Sequence, residues 1–212
     1  MSEPMGLRER KKQKTRQTIS DVAISLFLEH GFDHVPVVDI AAAAEVSKPT
    51  LFKYFPTKED LVVHRFADHG TVRCAVVTGR PAGVSPVDAL HRHFLAGLAD
   101  RDPITGLNDE EDVLAFHTLV YSTPGLVARV ARYLAEAEDV LAAALRDALG
   151  GGQRGITAAL LAGQVVATER ILASENWQRI VGGRTADEVY PEAVADADHA
   201  FGLLPREPGG AG

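Results

Sequence analysis

Lys48, Thr50, Lys53 and Tyr54 fall within seven consecutive residues, and each ends in a hydrogen-bond donor that a nucleic acid can accept. Two of them are cations. Pro49 and Phe52 stand among them as apolar members. Leu51 and Phe55 are spaced i and i+4, so on a helix they turn inward together and leave Lys48, Pro49, Thr50, Phe52, Lys53 and Tyr54 on the outer faces. Ser47 suits the N-cap of that helix, and Pro49 is tolerated in its first turn because no intrahelical donor is lost there. Immediately upstream, Val37, Ile40, Ala41 and Ala44 follow the i, i+3, i+4, i+7 spacing of one helical face, and Val46 falls out of that phase. A turn near Glu45 is therefore needed. The stretch from Val37 to Phe55 reads as a helix-turn-helix whose second helix could enter a DNA major groove.

Other chemistries are poorly supplied. Asp109-Glu110-Glu111-Asp112 is a dense acidic run, but adjacent residues on a helix do not converge on a metal, whereas acids in a first turn suit the helix dipole. His91 and His93 are i and i+2 and point apart. Gly150-Gly151-Gly152 lacks the Lys-Ser/Thr ending of a phosphate-binding loop. Cys74 is the only cysteine, which excludes an intrachain disulfide and argues against a thiolate zinc site; a small buried hydrophobe is the plainer role. No Ser, His and Asp set stands in a recognisable motif, and no Gly-rich cofactor loop follows a strand. Neither an enzyme nor a resident cofactor or metal is expected.

The elements that must position these groups are helices. The 212 residues can bury a sizeable core, and 46% apolar and 24% charged residues lie in the globular range. No apolar run reaches the roughly 18 residues of a membrane span, and Ser20, Asp21 and Ser25 break any signal-like core near the N-terminus, so a cytoplasmic location with no membrane partner is expected. The net charge of −7 conceals an asymmetry: residues 1–65 sum to +1 and residues 66–212 to −8. Every lysine lies at or before Lys58, and Arg8, Arg10, Lys11, Lys12, Lys14 and Arg16 crowd the first sixteen residues. One end of the chain suits a polyanion and the other does not. A solvated tail has the same composition, so the basic arm gains its meaning from the helix-turn-helix behind it.

In chain order, residues 1–9 read as a disordered arm, and a first helix over about Lys11 to His30 buries Ile19, Val22, Ala23, Leu26 and Phe27 and stops at Gly31. Phe32 and Val35 should plug the small core beneath the helix-turn-helix. The capping box Thr57-Lys58-Glu59-Asp60 predicts a fourth, longer helix to about Val77 with Leu61, Val62, Phe66 and Val72 inward. Further starts are read at the Ser85-Pro86-Val87-Asp88 box, at Asp109, at Thr123-Pro124, at Gly155 and at the Thr185-Ala186-Asp187-Glu188 box. The helix from Gly155 to about Asn176 is apolar around most of its circumference and needs cover on more than one face. The expected fold is all-α with about nine helices: an N-terminal three-helix helix-turn-helix domain over 10–57, a larger helical domain over 58–204, and a flexible tail over 205–212.

At Gly31-Phe32, Asp39-Ile40-Ala41, Val46-Ser47, Thr50-Leu51-Phe52-Lys53-Tyr54-Phe55 and Lys58-Glu59-Asp60-Leu61 the chain resembles the TetR family of bacterial transcriptional regulators, over roughly Arg16 to Phe66. Two positions depart from the family pattern. Glu45 stands where a turn glycine is usual, at a cost of about 1 kcal/mol if left-handed, and Pro36 stands where a capping Thr is frequent, forgoing about 1 kcal/mol. The resemblance implies that Lys48 reads a base, donating to guanine O6 or N7, that Pro49 touches a thymine methyl and that Phe52 offers apolar contact. It implies phosphate contacts from Thr50, Lys53, Tyr54 and Lys58. It further implies a homodimer joined through the last two long helices, whose recognition helices lie about 34 to 36 Å apart on a palindromic double-stranded operator. The C-terminal domain would hold a small-molecule inducer in a pocket to which His91, Phe94, His117, Tyr121, Gln164, Thr168 and Arg170 contribute, and the inducer would release a repressor by swinging the Lys58 to Val77 helix. A ligand-independent DNA-organising protein is the alternative of another class.

Overall fold

A computed structural model of the chain describes residues 7–150 and 155–205 and contains no strand among them. The expectations for residues 1–6, for 151–154 of the glycine loop and for the tail from residue 206 lie outside the described residues. The elements run α1 (Leu7–His30), α2 (Val37–Ala43), α3 (Lys48–Tyr54), α4 (Asp60–Val63), a 3₁₀ turn (His64–Phe66), α5 (Ala67–Thr78), α6 (Pro86–Ala99), a 3₁₀ turn (Pro103–Thr105), α7 (Glu111–Ser122), α8 (Pro124–Ala148), α9 (Gly155–Val181) and α10 (Ala186–Gly202). They form two compact units. One comprises the chain up to Arg65 together with Ala115–Ala131; the other comprises Phe66–Leu114 and the residues from Arg132 onward.

In the first unit, α1 starts at Leu7, earlier than Lys11, because the run from Leu7 is rich in strong helix formers with no Gly or Pro. Ile19, Ala23, Ile24 and Phe27 are buried, whereas Val22 and Leu26 stay half-exposed; Ile24 takes the inward place instead. Gly31, at φ +83°, ends the helix with its N–H donated to the Phe27 carbonyl. Phe32, Val35, Ile40, Ala41, Leu51, Phe55, Leu61, Val62 and Val63 are buried as well, and so are Val120, Leu126 and Val130 of the Ala115–Ala131 segment. The Ser20 hydroxyl donates to the Leu61 carbonyl at 2.7 Å, which satisfies a buried polar group on each of α1 and α4.

The single long helix expected after Thr57 is instead interrupted. Leu61, Val62 and Val63 are all buried in succession, which one face of a continuous helix does not allow, and the 3₁₀ turn at His64–Phe66 resets the phase before α5. On α5 the inward positions are Arg73 and Val77, spaced i and i+4, so Val72 is exposed rather than buried. Arg73 can face inward because Glu169 meets it there: Nε lies 2.6 Å from Oε2.

The second unit packs Val87, Leu90, Phe94 and Leu98 of α6 with Leu141 and Leu145 of α8, the buried stripe Ala158, Leu161, Ala162, Val165, Val166 and Leu172 of α9, and Val189, Ala193, Ala197 and Phe201 of α10. Two of its starts follow the capping pattern. Ser85 accepts the Asp88 N–H, and Thr185 and Glu188 form a complete reciprocal box. Another does not. Asp109 does not enter the first turn of α7 but accepts the Ala186 N–H at 2.9 Å, serving the start of α10. In the first unit, Thr123 likewise donates backward to the Leu119 carbonyl rather than capping α8. Helix α9 runs on past Asn176 to Val181, and it is long and apolar enough by composition to cross a membrane, which corrects the expectation that no stretch is. Its paired Glu169 and its Asn176, which donates to the Thr105 carbonyl at 2.9 Å, are buried within this unit, as befits a core helix.

Candidate nucleic-acid interface

Helix α3 is fixed at both ends. Ser47 accepts the Thr50 N–H at 3.2 Å and shares a 2.7 Å hydrogen bond with the Thr50 hydroxyl, while Pro49 occupies the first turn. Leu51 and Phe55 are fully buried. Phe55 meets His64 edge-on at 5.5 Å, and the Arg16 guanidinium stands 5.3 Å from the Phe55 ring centroid. The preceding turn places Glu45 at φ +54°, the left-handed geometry for which glycine is the usual residue, and returns the Val46 N–H to the Ala41 carbonyl at 2.9 Å. At the start of α2, Pro36 makes no side-chain cap, and its carbonyl receives the Asp39 N–H.

With the inward pair anchored, Lys48, Pro49, Phe52 and Lys53 are exposed, and Thr50 and Tyr54 are half-buried. Lys48 Nζ lies 6.0 Å from the Phe52 ring centroid, so the cation and the ring share one patch of the helix. Arg10, Lys11, Lys12 and Lys14 of α1 are exposed as well.

Lys58 is placed differently from the others. Its ammonium donates to the Phe32 carbonyl and stands 4.6 Å from the Phe32 ring and 5.3 Å from the Phe27 ring. Burial pulls its pKa below the ordinary lysine value, against the opposing pull of Asp33 and Glu59. A phosphate contact from Lys58 would require release from Phe32. In this arrangement it ties the start of α4 to the loop after α1.

The seven candidate ligand residues are divided between the two units. His91 stacks on Phe201 at 4.8 Å with Nε2 3.0 Å from Asp198, and Phe94 packs on the same Phe201 at 5.9 Å. His117 and Tyr121 lie in the first unit and stack on each other at 4.2 Å; burial pushes the His117 pKa down to about 4. Gln164 and Arg170 are exposed on α9, and Thr168 is half-buried.

Sequence patterns marked Asp60 only as the acid of a capping box and did not single out Arg65 or Arg129. Arg129 Nε donates to Asp60 at 2.7 Å across 69 positions, and Arg65 donates to Asp21 at 2.8 Å across 44. No local spacing announces a partner that far away.

A family profile described as "Bacterial regulatory proteins, tetR family" matches residues 19–64, the span that contains α2 and α3. The chain is 36% identical over 138 residues to the HTH-type transcriptional regulator TcmR of Streptomyces glaucescens, covering 65% of this chain and 61% of that one. It is 43% identical over 49 residues to the HTH-type transcriptional regulator LuxR of Vibrio harveyi, covering 23% and 24%. The chain thus spans about three-fifths of the length of TcmR. Among solved structures, native NalD, the secondary repressor of the MexAB-OprM multidrug efflux pump in Pseudomonas aeruginosa, aligns with a TM-score of 0.58 at 19% identity, covering 94% of this chain and all of that one. At that identity the match speaks for the fold.

Proposed function

We propose that this chain, which is similar to the tetR family of bacterial regulatory proteins over residues 19–64 and to TcmR over 138 residues, is a transcriptional regulator that reads a palindromic operator as a homodimer and is released from it by a small-molecule inducer. The observation that carries the DNA-binding part is the outer surface of α3. Lys48, Pro49, Phe52 and Lys53 are presented on a helix whose N-terminus is capped by Ser47 and whose inward side is locked by Leu51 and Phe55. Lys48 donates to guanine, Pro49 and Phe52 meet thymine methyls, and Lys53, Thr50 and Tyr54 hold phosphates.

Support for the dimer comes from α9, which leaves Ile156, Leu160, Ile171 and Val181 more than half exposed in the single chain, a stripe that a second copy would cover. The inducer part rests on the family's habit and on the polar and aromatic groups of α6 and α9.

Selection of duplexes from random DNA with the full chain tests this function. A two-fold sequence bound about a thousandfold or more tightly than scrambled duplex is expected; equal affinity for all duplexes would favour the DNA-organising alternative. Sedimentation should show a dimer, and a monomer at micromolar concentration would remove that claim.

A further inference from the structure

The carboxylate of Asp60 serves two partners at once. Oδ2 accepts the Thr57 backbone N–H at 3.0 Å, and Thr57 Oγ1 accepts the Asp60 N–H at 3.2 Å in return, closing the capping box. Oδ1 accepts from Arg129 Nε at 2.7 Å, with both side chains largely shielded from solvent. Only Pro56 separates this box from Phe55, the C-cap of α3. The next residue, Lys58, is fastened to Phe32. The exit of the recognition helix is therefore clamped by a box whose acid is held by an arginine from much further along the chain.

A second tie runs the same way. The Arg65 guanidinium stands 5.4 Å from the Phe116 ring centroid while it donates to Asp21 at 2.8 Å. Phe116 and Arg129 both belong to Ala115–Ala131, which clusters with the helix-turn-helix and lies outside the 19–64 family match.

We infer that Arg129 is a positioning residue for DNA recognition, acting through Asp60 on the exit of α3. This inference rests on the DNA-binding function proposed above. The physical reason is the difference between charge and geometry. Lys48 and Lys53 keep their attraction for phosphates wherever α3 sits, whereas hydrogen bonds to base edges demand a fixed helix. Loss of a charge-assisted bond on Asp60 loosens the box and so weakens sequence reading before it weakens general binding.

The test uses the full chain with Arg129→Gln, Asp60→Asn and the double substitution. Asparagine can still accept the Thr57 N–H with its amide oxygen but turns an NH2 toward Arg129, so it removes the charge-assisted brace while keeping the box's own hydrogen bonds. Affinity is measured on a selected duplex and on a scrambled one across a salt series. Each single substitution should reduce affinity for the selected duplex about tenfold, leave the scrambled duplex and the salt slope unchanged, and add nothing in the double variant. Should Arg129→Gln fail to fold, Asp60→Asn carries the same expectation. Equal losses on both duplexes, a shallower salt slope, or additive losses in the double variant overturn the inference. If the wild-type chain prefers no duplex, the regulator function falls and takes this role with it; if it does and the variants prefer it equally, only the role of Arg129 falls.

Discussion

Arg73 Nε lies 2.6 Å from Glu169 Oε2, and both side chains are shut away from solvent between α5 and α9. Burial pushes the Glu169 carboxyl above its ordinary pKa, and Arg73 opposes that rise. Arg73→Met strands the acid, so we expect it to destabilise the fold by about 3 to 5 kcal/mol at neutral pH. The companion Arg73→Met/Glu169→Leu should recover most of that loss. The sign with pH follows from linkage. An acid whose folded pKa is raised binds more protons folded than unfolded, so the single variant should be most stable below the ordinary carboxyl pKa and lose stability as pH rises through the raised value. Urea denaturation at several pH values measures this, and a double variant no better than the single one would refute the pairing argument.

Glu45 sits at φ +54° in the turn between α2 and α3. Glu45→Gly relieves a left-handed side chain but gives the unfolded chain more freedom, so the net gain should be about 0.5 to 1 kcal/mol. A raised urea midpoint with unchanged operator affinity is the expected result. A lowered midpoint would mean that the Glu45 side chain contributes something the turn geometry does not reveal.

Two glycines with similar backbone angles should respond very differently. Gly106, at φ +71°, would place a new Cβ 2.0 Å from the Ala173 carbonyl oxygen, whereas Gly83, at φ +82°, has nothing within 4 Å. Gly83→Ala should cost about 1 to 2 kcal/mol from backbone strain alone, and Gly106→Ala about 3 kcal/mol or more because the loop must leave α9. Thermal melts of the two variants side by side decide it; equal shifts would contradict the close approach.

Lys53 is exposed on α3, and the role proposed for it is a phosphate contact. Lys53→Ala should weaken binding to every duplex by a similar factor and make the slope of log K against log salt shallower by about one unit. A sequence-selective loss at unchanged slope would move Lys53 to a base. Together with the Arg129 variants, this separates charge from geometry at the interface.

Much of this was legible in the sequence where cause and effect lie within one turn. Ser47, Ser85 and Thr185 each announce a helix start that their side-chain bonds then make, and Leu51 with Phe55 sets the inward side of α3. What escaped depends on partners far along the chain. Asp109 looks like a first-turn acid until Ala186, 77 residues later, offers it an N–H. Val72 reads as an inward residue of its helix until Glu169 draws Arg73 to the inside instead. Lys58 looks free for a phosphate until the Phe32 carbonyl claims its ammonium. In the ligand set, hydrophobic spacing marks helices but cannot say which polar groups meet, and the structure gathers His91 and Phe94 around Phe201 while His117 and Tyr121 pair elsewhere.

The membership of Ala115–Ala131 in the same compact unit as the helix-turn-helix bears on how chains with this arrangement can be recombined. A chimera spliced just after Arg65 would carry the reading head but leave behind the arginine that braces its Asp60. Grafts between regulators of this kind should succeed when the downstream segment travels with the head, or when the host body already offers an arginine at that place.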